Sequence, residues 1–111
     1  MKPTITFDDF AKIEITIGKI LSVEKVPETD KLLKLSVSFG TEIRQIVSGI
    51  SQYLPDAQVL IGKKCPFVTN LEPRTIKGLE SQAMILAVST DDGLFSLLQP
   101  NEDIPEGTRA K

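Results

Sequence analysis

The chain has no histidine and no tryptophan, and only one cysteine and one tyrosine among 111 residues. Without histidine neither a Ser-His-Asp nor a Cys-His nucleophile can be assembled, and the commonest transition-metal ligand is missing. The carboxylates are dispersed singly among lysines, with no H-E-x-x-H, no D-x-D-x-D-G loop and no acidic cluster to hold a metal. Ile61-Gly62-Lys63-Lys64 ends like a phosphate loop but lacks the earlier glycine and the Ser or Thr after the lysine. No cofactor is expected, and an enzyme is the weaker reading. Cys65 alone cannot form an internal disulfide, which agrees with a reducing compartment; beside Lys64, Pro66 and Phe67 it reads as a small buried strand residue rather than a nucleophile. No apolar run approaches the roughly 18 residues of a membrane span, and MKPTITFDDF lacks the flanks of a signal peptide, so a cytoplasmic protein without membrane contact is expected.

What is present is a mixed composition, 41% hydrophobic and 25% charged, with seven prolines and seven glycines scattered between apolar runs. That suits one ordered domain over residues 1–111, without linker or internal repeat. Thr6 followed by Asp9 is an N-cap signature for one helical turn, with Phe7 and Phe10 sharing a face that the pattern turns inward. From Ile13 the period becomes two, interrupted at Gly18, which predicts a long strand bent there. Leu33, Leu35, Val37 and Phe39 alternate with polar residues over a second strand, and Ile43 to Val47 form a third. A short helical or irregular crossover through Tyr53 to Ile61 precedes a fourth strand, Lys64 to Thr69. A Pro- and Gly-bearing loop follows, then a fifth strand over 82–89. This order, all-β with five strands, a helical link after the third and a C-terminal extension, is that of an OB barrel. The extension carries Leu94, Phe95, Leu97 and Leu98, which either plug the barrel end or meet a second chain.

The formal net charge of −2 argues against general coating of nucleic acid. Its distribution is uneven: residues 10–80 hold ten Lys/Arg against eight acids, whereas residues 81–111 hold two (Arg109, Lys111) against five (Asp91, Asp92, Glu102, Asp103, Glu106). A basic patch on the barrel could contact phosphates while the acidic tail suppresses indiscriminate binding; an ordinary solvated surface would look the same by charge alone. With so few aromatic rings free to stack on bases, a folded RNA suits the chain better than an unpaired strand.

Four blocks, FDDFAKIEITIGKI, DKLLKL, EIRQIVSGI and NLEPRTIKGLESQAMIL, resemble in order and spacing the tRNA-binding OB-fold domains. These occur as stand-alone dimeric proteins, as the C-terminal appendage of methionyl-tRNA synthetases, and in the endothelial-monocyte-activating-polypeptide-like domains of synthetase cofactors. The resemblance implies an OB barrel, homodimerisation with residues 90–111 at the interface, and recognition of the tRNA body without sequence reading. A methionyl-tRNA synthetase catalytic region, in cis or in trans, is an implied partner. It carries RNA-surface roles to Lys31, Arg44, Asn70, Lys77, Ser81 and Met84; Lys34 and Arg74 join them on charge and expected outward direction.

Departures are Thr16 where the family has arginine, Ala83 in place of a glycine, and Val26-Pro27-Glu28-Thr29 where the family reads H-P-N-A. In this reading Pro73 and Gly78 stiffen and turn the loop, so that Arg74, Lys77 and Ser81 are fixed before RNA arrives. The rival reading, from the export-chaperone branch of the same superfamily, is a peptide-binding OB-fold dimer with an apolar groove.

Overall fold

The computed structural model describes all 111 residues. Thr6 caps one helical turn, α1 (Phe7–Phe10): its hydroxyl accepts from the Asp9 amide at 3.1 Å, and Asp8 and Asp9 place negative charge in the first turn. The inward placement expected of its rings does not hold. The turn buries nothing, leaving Phe7 79% and Phe10 45% exposed, because this segment precedes the barrel and its apolar face is left largely uncovered.

β1 (Ile15–Lys25), β2 (Leu33–Ser38) and β3 (Ile43–Ser48) form an antiparallel meander, and β4 (Lys64–Val68) returns on the other side of β1. The alternation that marked these strands selects the core: Ile20, Val23, Leu33, Leu35, Val37, Ile46 and Phe67 are buried. One long strand serves two neighbours, Ile15 to Lys19 pairing with β4 and Lys19 to Lys25 with β2, as a coiled sheet closing on itself requires.

The expected bend at Gly18 falls later. Register against β2 shifts between Ile20 and Ser22, making Leu21 the extra residue of a bulge. Gly18 instead admits its neighbours: a Cβ there would lie 2.6 Å from both the Phe39 ring and Val37 and 3.0 Å from Phe67, where the two rings meet edge to face with centroids 5.4 Å apart. Cys65 is fully buried, as its flanks suggested, and burial pushes its thiol up to about 11.

The helical link after β3 is two 3₁₀ turns, Ser51–Tyr53 and Ala57–Leu60. Pro55 separates them, lacking an N–H and holding Leu54 outside helical geometry. The expected loop over 70–81 is itself a hairpin, β5 (Arg74–Ile76) and β6 (Leu79–Ser81), around a two-residue turn. Lys77 and Gly78 both have positive φ, 50° and 80°, as a type I′ turn demands.

The single strand expected over 82–89 is broken: β7 (Met84–Ile85) pairs with β4, while β8 (Ala87–Ser89) pairs with β9 (Phe95–Leu97). The sheet order β3-β2-β1-β4-β7 is that of the OB barrel. It closes between β3 and the segment before β7 partly through side chains: the Val47 amide donates to Ser81 Oγ (3.0 Å) and the Gln45 amide to Gln82 Oε1 (2.9 Å).

The surplus apolar piece covers the barrel end only in part. Phe95 stacks on Tyr53 with centroids 4.6 Å apart and Leu97 packs against the core, but Leu94 stays exposed. Beyond it the acidic tail folds back on β1. Gly107 N–H donates to Ile17 O and Ile17 N–H to Thr108 O, each at 2.8 Å, and Ala110 N–H to Ile15 O at 2.9 Å. Lys64 Nζ anchors the tail through Asp103 Oδ1 at 2.9 Å and Glu106 Oε1 at 3.8 Å. That hydrogen bond raises the Lys64 pKa and lowers that of Asp103.

Candidate nucleic-acid interface

The β1–β2 connection and the β4–β7 connection are the loops with which OB barrels commonly hold ligands. Here they converge. Lys31, from the first, and Lys77, at the tip of the β5–β6 turn, line one cleft together with Glu28, Asp30 and Ile76. Down the same hairpin, Arg74 pairs across the ladder with Ser81 and shares a narrow groove with Leu71, Ile76 and Met84; Met84 is exposed. The chain's ion pairs engage Lys12, Lys34, Arg44, Lys64 and Arg109, so Lys31, Arg74 and Lys77 keep their charge free. Lys25, which the sequence reading missed, ends β1 opposite Leu33, beside the loop that carries Lys31, and also stands outside every ion pair. Its position at a strand end next to that loop was the available signal.

Lys34 is half-buried and pairs with Glu24 at 3.3 Å; it lines a second cleft with Arg44, Gln45 and Gln82. The other nominated residues face inward or are already engaged. Ser81 is 7% exposed, and its Oγ accepts from Val47 N–H while donating toward Ala83 O (3.1 Å), so it closes the barrel and has no hydroxyl to offer a ligand. Asn70 lies at the surface, but its side chain ties down the chain before β1: Nδ2 donates to Lys12 O (2.6 Å) and Oδ1 accepts from Glu14 N–H (2.8 Å).

Arg44 does not join Lys31. Along the β2–β3 ladder Lys31 adjoins the Leu33↔Ser48 end, whereas Arg44 pairs with Val37. Four residues of strand, about 13 Å, lie between these pairs. The guanidinium, with a side chain 23% exposed, lies over the Phe39 ring and bonds Glu42, Thr69 O and Gln82 O.

Position 16 likewise belongs to the far end of the barrel. Thr16 is buried, its Oγ1 2.8 Å from Thr69 Oγ1, beside a polar cleft of about 420 Å³ lined by Glu14, Glu42, Arg44, Glu106 and Arg109. The absence of arginine there takes nothing from the lysine cleft. Glu28, where the resemblance led us to expect asparagine, does bear on that cleft: it has φ 63° and a carboxylate beside Lys31.

Fold and loops together define an OB-type binding module. The chain belongs to the tRNA-binding domain family: the family described as "Putative tRNA binding domain" matches residues 15–109. It is 47% identical over 112 residues to a methionine–tRNA ligase of Chloroherpeton thalassium, spanning 100% of this chain and 16% of that protein. Among solved structures it superimposes on a MetRS related protein from Pyrococcus horikoshii with a TM-score of 0.92 at 39% identity, covering 99% of this chain and 100% of that one. The chaperone CsaA from Bacillus anthracis gives a TM-score of 0.87 at 27% identity over 98% and 100%.

Proposed function

We propose that this chain is a non-catalytic, structure-specific tRNA-binding domain. It works in the cytoplasm as a separate protein or as the C-terminal domain of a methionyl-tRNA synthetase, raising the local concentration of tRNA. The observation that carries this reading is the cleft in which the free lysines 31 and 77 meet across two loops. Lys31, Lys77 and Arg74, joined by Lys25, contact phosphates; Met84 and Leu71 offer apolar surface to a sugar or base edge. Lys34 adds charge partly neutralised by Glu24. Tyr53 is occupied by Phe95, which leaves backbone shape rather than base stacking as the basis of recognition.

The domain acts as a homodimer, using the exposed apolar side chains of Ile5, Phe7, Phe10 and Ile13 and of Val88 and Leu94 in the C-terminal part. Two copies supply avidity where both reach one tRNA.

The peptide-binding reading draws on the likeness to CsaA and on the groove of Leu71, Ile76 and Met84 beside the outer edge of β5. Titration of folded tRNA against unstructured RNA of equal length, with light scattering of the free and bound protein, tests the proposal. Tighter binding of folded tRNA to a dimer is expected. Equal affinities, or peptide capture without any tRNA complex, would reverse it.

A further inference from the structure

The hairpin that carries Lys77 consists of two three-residue strands, too short to hold a fixed position alone. Something must fasten both of its flanks to the barrel. Arg44 touches both: Nη1 donates to Thr69 O at 2.6 Å, where the connection leaves β4, and to Gln82 O at 3.2 Å, where it returns. The same guanidinium is braced from behind, with Nε and Nη2 donating to Glu42 Oε1 at 3.1 and 2.7 Å, and it covers the Phe39 ring at 5.6 Å from the centroid. All three nitrogens are therefore committed inside the protein. Glu42 neutralises the charge, and the group lies at the opposite end of the β2–β3 ladder from Lys31. One Nη2 N–H is left over, so a phosphate could add at most a single bond to a charge that Glu42 already neutralises.

The geometry points to Arg44 as a positioning residue: a latch that clamps both flanks of the 74–81 hairpin to β3 and so sets where Lys77 and Arg74 stand. Its action on tRNA rests on the function proposed above; its action on the hairpin does not. A planar fork with donors on three nitrogens can serve Thr69 O, Gln82 O and Glu42 together, whereas a lysine ammonium at 44 keeps the charge but gathers its donors on one atom and cannot span all three partners.

Arg44→Gln and Arg44→Lys are compared with the parent chain by amide hydrogen exchange and by tRNA titration over a range of salt. The latch predicts that exchange at Thr75 to Gln82 speeds up about tenfold in both variants while the β1–β2 core amides are unchanged. It also predicts that tRNA affinity falls in both by about tenfold with the salt slope intact, because no phosphate contact is removed. A slope that becomes shallower in Arg44→Gln and is restored in Arg44→Lys would overturn the latch in favour of a direct contact. Unchanged exchange in the hairpin would overturn it outright. Should the parent chain fail to bind tRNA, the function proposed above fails, and the exchange measurement still decides the latch. Glu42→Ala, at an exposed side chain, removes only the brace and covers the case in which Arg44 variants do not fold: hairpin exchange should rise in the same direction by a smaller factor, and no rise would count against the latch.

Discussion

Lys31 and Lys77, remote in sequence, line one cleft at the end of the barrel where β1 turns into β2. Neither is neutralised by an ion pair, and each sits on a loop held by hydrogen bonds or a defined turn. Positive charge fixed in place before a ligand arrives lowers the ordering penalty of binding.

Asp30 and Glu28 both bring negative charge to this cleft, and Glu28 does so in a strained conformation. It occupies the left-handed region at φ 63°, where a side chain other than Gly, Asn or Asp is strained, and its carboxylate lines the lysine cleft. Glu28→Asn should raise stability by roughly 0.5–1 kcal/mol in denaturant unfolding and tighten tRNA binding at low salt, since strain and an opposing charge leave together.

Lys77 shares the strain but not the sign. Asparagine suits its φ of 50° in a type I′ turn beside Gly78. Lys77→Asn should therefore gain about 0.5–1 kcal/mol in the same unfolding assay, yet bind tRNA more weakly with a salt slope shallower by about one. Greater stability with weaker binding would mark Lys77 as a position where function is kept at the expense of backbone ease.

Gly18 tests the core. With a Cβ 2.6 Å from both Phe39 and Val37, whose side chains are packed against the buried Phe67, the neighbours have little room to yield. Gly18→Ala should destabilise by about 1–3 kcal/mol through overpacking. The melting temperature should fall by roughly 5 °C or more.

The tail clamp sets a pH dependence. The hydrogen bond to Lys64 lowers the Asp103 pKa, so the folded state favours the ionised carboxylate. Its contribution is present above the ordinary carboxylate range and disappears as pH falls through the lowered value. The Lys64 pKa is raised by the same bond, so its contribution is full below the ordinary lysine range and is lost as pH rises past the raised value. Asp103→Asn should accelerate exchange of the Ile17 and Ala110 amides at pH 7, and the difference from the parent chain should vanish once pH has fallen through the lowered Asp103 pKa.

The parts of the fold legible in the sequence are those with a long, regular period: β1 and β2 follow from alternation over five or more residues, and the barrel follows from the order of the strands. The β5–β6 hairpin was read as loop because three-residue strands leave no period to detect, and its turn places lysine where glycine or asparagine is usual. Arg44 and Ser81 take their surface reading from the resemblance, which says nothing of the partners that engage them here: Thr69 and Gln82 for one and Val47 for the other, all remote in sequence. The tail's attachment to β1 runs largely through backbone groups that every sequence possesses. Lys31 and Lys77 are nominated by the resemblance and Arg74 by its charge and expected outward direction; all three stand outside the chain's ion pairs.

The most direct test is the salt dependence of tRNA affinity for the parent chain and for Lys31→Ala/Lys77→Ala. If the two lysines neutralise phosphates, the double variant binds more weakly and its slope of log affinity against log salt is shallower by about 1.5. An unchanged slope, with affinity retained, would contradict a docking surface at this cleft.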